Sequence, residues 1–133
     1  MKNKIYCITK RELDSIRQQL YNQEGVWIAE IDGKVIHTWS DYAHEIVRTF
    51  RFPTPCENSI DAYLDWLRDL DWLGKEAYIL IIKNFDVFLQ HDMILRKQIM
   101  DDFQNVVFPW WEKDIEKYCV GGKAKNFNVY LVA

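Results

Sequence analysis

The chain has 133 residues, 49% of them hydrophobic and 15% aromatic, with 17 Lys and Arg against 20 Asp and Glu for a net charge of −3. That length suits one domain with one continuous core, and the apolar content excludes a disordered tail. No run approaches membrane-spanning length, and the opening Met-Lys-Asn-Lys lacks the apolar segment of a signal peptide, so the sequence reads as cytoplasmic.

In chain order, KIYCI (Lys4–Ile8) reads as a short strand. Thr9 is placed to cap a helix, KRELDSIRQQLY, with Leu13, Ile16 and Leu20 on one face. GVWIAEIDG (Gly25–Gly33) has the pattern of a strand ending in an Asp-Gly turn. A helix over WSDYAHEIVRTF follows, with Ser40 as the expected N-cap and Tyr42, Ala43, Ile46 and Phe50 facing inward. The two prolines of RFPTPCENS mark a loop, and a helix is expected from about Ser59 to Leu70.

AYILIIKNF (Ala77–Phe85) is nearly all apolar, as expected of a strand buried on both faces. A short helix at DVFLQHD is expected next, then a longer helical region from Met93 to Tyr118 broken or restarted at Phe108-Pro109. VGGKAKN forms a loop and FNVYLVA a terminal strand. Strands alternating with helices predict an α/β fold with a small, mainly parallel sheet. It has three core strands, with the N-terminal strand as a candidate fourth.

Residues 57–76 concentrate charge: Glu57, Asp61, Asp65, Asp69, Asp71 and Glu76 stand against Arg68 and Lys75. On the expected helix, Ile60, Tyr63, Leu64, Leu67 and Leu70 make the apolar stripe, and Asp61, Asp65 and Asp69 stack one turn apart beside it. Like charges at that spacing repel by a few tenths of a kcal/mol per pair. Such a surface attracts a basic partner and repels nucleic acid.

Catalytic machinery is not evident. Asp61 and Asp65 have the spacing of a carboxylate pair, but any amphipathic helix with acids on its wet side gives the same spacing. His37, His44 and His91 lack an orienting third group, and GGK at Gly121–Lys123 lacks phosphate-loop spacing. Cys7, Cys56 and Cys119 show no metal-ligand spacing and read as buried or free thiols. Trp66 and Trp72 lie among aspartates, which suits packing or a protein-facing surface rather than base stacking. Neither a cofactor, a metal nor enzymatic turnover is expected.

The stretch IDGKVIHTWSDYAHEIVRTFRFPTPCENSIDAYLDWLRDLDWL (Ile31–Leu73) resembles the barstar family of intracellular ribonuclease inhibitors. Strand, turn, helix, Pro-containing loop and an acidic helix with D-A-x-x-D follow in the family's order. The resemblance covers most of residues 25–133, with residues 1–24 as an N-terminal strand–helix extension. It implies an immunity protein or antitoxin that blocks the phosphate-binding active site of a cationic ribonuclease, itself binding neither nucleic acid nor membrane. By the resemblance, Asp61 and Asp65 are interface carboxylates, Asp65 at the position that fills a phosphate subsite. Leu64 and Asp69 join them, and one of Glu112 and Glu116 stands for a further acid.

The loop departs from the family pattern. Aromatics and Gly-x-Asn are expected before the D-A pair, where this chain has Pro55, Cys56, Glu57 and Ser59, with Asn58 displaced by one. A glycine has become Glu57, which adds an acid, and the aromatic contact surface of the loop is gone as well. The altered loop leaves a second implication: an interaction module of the same fold that binds a different basic protein.

Overall fold

Thr9 and Glu12 cap each other reciprocally: the Glu12 N–H donates to Thr9 Oγ1 and the Thr9 N–H to Glu12 Oε1, both at 3.1 Å. Helix α1 (Lys10–Tyr21) therefore starts where the sequence predicts, between β1 (Ile5–Ile8) and β2 (Val26–Asp32). The structure, a computed structural model, describes residues 2–133. After β2 come a 3-10 turn (Gly33–Val35), α2 (Trp39–Phe50), α3 (Ile60–Leu67), a second 3-10 turn (Asp71–Leu73), β3 (Ala77–Lys83), a third (Phe85–Val87), α4 (Met93–Asp102), α5 (Ile115–Tyr118) and β4 (Asn126–Val132).

The four strands form one parallel sheet in the order β1-β4-β3-β2. The N-terminal strand is thus a true fourth member, added at the edge beside β4, with Ile5 opposite Val129 and Ile8 opposite Val132. In β3 side chains alternate between two cores. Tyr78, Leu80 and Ile82 join the larger core with α2, α3 and the C-terminal helical region. Ile79 and Ile81 join the smaller core with Leu13 and Leu20 of α1. Both faces of β3 are buried, which is why its sequence is a continuous apolar run rather than an alternating one.

In α2, Tyr42, Ala43, Ile46 and Phe50 are all buried, as the helical period requires. The Tyr42 and Tyr63 hydroxyls meet at 2.6 Å inside the core and tie α2 to α3. Burial pushes both phenols well above the ordinary tyrosine range.

Six expectations need correction. The α2 N-cap is Thr38, not Ser40, because Thr38 and Asp41 form a reciprocal cap. Helix α3 stops at Leu67, and Leu70 adopts a left-handed backbone (φ 57°) while fully buried, so it reaches the core from a turn rather than a helix. Ile60, in the first turn of α3, is 46% exposed and does not belong to the buried stripe. Pro109 does not break the long helix: residues 93–118 stay helical, with π-helical turns at Phe103–Val107 and Trp110–Asp114 on either side of the proline. The Phe108 N–H bonds the Phe103 carbonyl, five residues back. This wider spiral accommodates a residue that has no N–H to donate. The short helix expected at DVFLQHD is a 3-10 turn over Phe85–Val87, and β3 ends at Lys83.

Leu67 is fully buried, so Leu67→Ala lowers the unfolding free energy by about 2–5 kcal/mol. Ile60→Ala changes it by less than about 0.5 kcal/mol, and urea unfolding of the two variants separates the outcomes.

Three carboxylates lie below their ordinary range. The Asn84 side-chain amide and the Lys34 N–H lower Asp32, and the His37 backbone N–H lowers Asp41. Burial acts to raise Glu30, but hydrogen bonds from Arg17 and Tyr21 outweigh it. Each group favours the folded state once pH exceeds the ordinary carboxylate values, and that contribution is lost as pH falls through the depressed folded value. Acid titration therefore lowers stability below about pH 4, and Asp32→Asn flattens part of the dependence.

Candidate partner-binding face on the acidic helix

Ser59 starts α3, its hydroxyl accepting the Ala62 N–H at 3.0 Å. The helix is short, and tryptophan side chains hold the segments around it. The Trp111 indole N–H donates to the Leu67 carbonyl at 2.9 Å, joining the C-terminal helical region to the last turn of α3. Trp39 donates to the Glu57 carbonyl at 2.8 Å, and Trp72 to that of Phe50 at 2.9 Å. Trp66 donates to Thr54 Oγ1 at 3.0 Å and meets Trp72 edge-on at 5.3 Å. These groups are packing devices with satisfied N–H donors, in keeping with their aspartate-rich surroundings.

Asp61 and Asp65 are both exposed on α3. Asp65 pairs with Arg68 at 2.8 Å, and Arg68 also donates to the Leu64 carbonyl at 3.2 Å and lies 5.9 Å from the Trp110 ring. Asp69 stands outside the helix and is half-buried; its Oδ1 accepts the Asp71 N–H at 3.1 Å. Asp65 and Asp69 still line one shallow groove, together with Thr54, Ala62 and Trp66. Leu64 is half-buried against the core rather than projecting from it. The three-step ladder is therefore two exposed helical carboxylates and a third on the following turn.

Glu57 is drawn inward. Its carboxylate contacts the His44 ring of α2, its carbonyl accepts from Trp39, and Cys56 before it is buried, with its thiol pushed up to about 11 by that burial. Of the two later acids, Glu112 accepts the Asn3 backbone N–H at 2.9 Å and is engaged with the N-terminal segment, while Glu116 is exposed. Sequence reasoning missed Arg68 as the partner of Asp65, although the i,i+3 spacing displayed it. The Glu57–His44 contact crosses a loop and has no local signal.

The family description Barstar (barnase inhibitor) matches residues 26–122, well over half of the chain. The chain belongs to the barstar family. The match takes in β2, α2, the loop, α3, β3 and the C-terminal helical region, and leaves β1, α1 and β4 outside it. No curated protein gives a significant match. Among solved structures, the chain is similar in fold to the Aeropyrum pernix ORC2 protein, solved as ADPNP-ADP complexes, with a TM-score of 0.55 and 14% identity. That likeness covers 98% of this chain but only 35% of the ORC2 chain. Where the barstar-family pattern expects a glycine, Glu57 does not take positive φ; between the two helices that flank the loop only Arg51 does, at 54°. The loop thus follows a backbone that needs no glycine at Glu57.

No helix among the described residues is long and apolar enough to cross a membrane, and none of their His, Cys, Asp or Glu side chains are grouped to hold a metal.

Trp111→Phe keeps an aromatic ring but leaves the Leu67 carbonyl without its donor, costing about 1–3 kcal/mol. Amide exchange should then accelerate at residues 64–70 more than in α2; equal acceleration in both would show that the indole does not hold the end of α3.

Proposed function

We propose that this protein is an intracellular inhibitor of a cationic ribonuclease of the barnase kind, acting as an immunity protein or antitoxin. The barstar-like core would span residues 25–133 and carry residues 1–24 as an extension. The observation that carries this reading is the exposure of Asp61 and Asp65 on α3, within the stretch that matches the barstar family.

The chemistry follows from what a ribonuclease must do. Its active site binds phosphates and is lined with cationic donors, so a carboxylate fixed on a rigid helix competes for the same positions. Asp65 is the carboxylate proposed for a phosphate subsite, with Asp61 beside it, Asp69 at the rim, and Leu64 and Glu57 at the margin. Arg68 already pairs with Asp65, but the pair is exposed, and such pairs are worth about 0–1 kcal/mol. A partner cation can therefore replace Arg68 at little cost. The acidic surface also favours fast association with a basic enzyme.

A second reading has an observation of its own. Glu57 is turned onto His44 and Cys56 is buried, so the loop offers neither family aromatics nor a free carboxylate. This favours a binding module whose partner is a different basic protein.

Association and dissociation rates on immobilised barnase at two salt concentrations test the proposal. Asp65→Ala should raise the dissociation rate most, because it strands a desolvated cation. Asp69→Ala should mainly slow association and weaken its salt dependence. Glu57→Ala should do least, since His44 already holds that side chain. Equal, small effects from all three variants would make the acids a solvated face and overturn the inhibitor reading.

A further inference from the structure

A cavity of about 300 Å³ lies where the strands of the sheet end, under the first two turns of α1. Its wall includes Lys10, Leu13 and Arg17 from α1, Lys34 from the turn after β2, and Lys83 and Asn84 at the end of β3. Ligands of open parallel α/β sheets settle outside the carboxyl ends of the strands, and this volume suits a small molecule.

Among the side chains of the wall, four are basic and one, Asp14, is acidic, and Ala133 completes the lining. Arg17 is committed to Glu30, with Nη1 2.6 Å from Oε2. Lys10, Lys34 and Lys83 have no ion-pair partner among the described residues. The nearby Asp32 carboxylate attracts Lys34 and Lys83 at longer range, and its Oδ1 accepts the Lys34 N–H at 3.0 Å and Asn84 Nδ2 at 2.8 Å. Those two bonds fix the turns that carry Lys34 and Lys83 relative to each other. The cationic groups thus sit on set backbone positions, with the nearly buried Leu13 and Val132 as a small apolar floor.

Lys10, Leu13 and Arg17 lie outside the stretch that matches the family, whereas Lys34, Lys83 and Asn84 lie inside it. The cavity exists because β1 and α1 place a helix across the second face of the sheet.

We propose that this cavity binds a small phosphorylated molecule, its phosphate between Lys10, Lys34 and Lys83 and its organic part against Leu13 and Val132. Three ammonium groups without a direct ion-pair contact suit a doubly charged group better than a single carboxylate, and lysine serves phosphate as a point charge. This inference stands apart from the acidic face and does not depend on ribonuclease binding.

Amide and lysine side-chain resonances, followed while inorganic phosphate, pyrophosphate, adenosine monophosphate and adenosine are added in turn, test it. The three phosphate probes should give saturable shifts confined to residues 10–17, 33–34, 83–84 and 132–133, and adenosine none. Adenosine monophosphate should bind more tightly than inorganic phosphate if the apolar wall takes the organic part. Lys83→Gln should weaken each phosphate probe about tenfold with the rest of the spectrum unchanged, while Lys2→Gln has no effect. Unsaturable shifts from all three, equal binding by Lys83→Gln, or equal binding of adenosine would overturn the proposal.

Discussion

A strand buried on both faces needs cover above and below it, and β3 imposes that requirement on the whole molecule. Tyr78, Leu80 and Ile82 are covered by the larger core, which brings α2, α3 and the C-terminal helical region onto one face. Ile79 and Ile81 need a second cover, and α1 supplies it with Leu13 and Leu20. Both surfaces of functional interest follow from this division. The acidic helix lies on the outside of the larger layer, and the basic cavity lies beneath the helix that closes the smaller one.

The acidic face combines a short helix with unusually firm anchors. An isolated helix as short as Ile60–Leu67 would be marginal in water. Here Tyr63 bonds Tyr42 inside the core, Trp111 holds the Leu67 carbonyl, and buried Leu70 turns the chain back from a left-handed backbone. Carboxylates on such a support lose little freedom when a partner arrives, which limits the entropic cost of binding. Their mutual repulsion is tempered in the free protein by Arg68 rather than by burial, so the charge stays available at the surface.

Much of this was legible in the sequence, and the failures have physical reasons. Thr9 as a helix cap, the apolar run of β3 and the inward face of α2 are local patterns, and each produced its element. The early end of α3 was not legible, because Leu70 enters the core through a left-handed turn that leucine rarely adopts and that only tertiary packing sustains. Pro109 misled for a similar reason: π turns on both sides let the helix continue, and helical periodicity carries no sign of them. In the candidate site the exposed Asp61 and Asp65 were readable from helical spacing. The withdrawal of Glu57 onto His44 was not, since it joins residues of different elements across a loop.

The most direct measurement of the central claim is RNA cleavage by barnase titrated with the purified chain. Competition by a fixed acidic helix predicts a stoichiometric fall in cleavage, relieved when Asp61 and Asp65 are both replaced by Ala in a chain that unfolds as cooperatively as the parent. Undiminished cleavage at an excess of the chain, or inhibition unchanged by the double replacement, would contradict it.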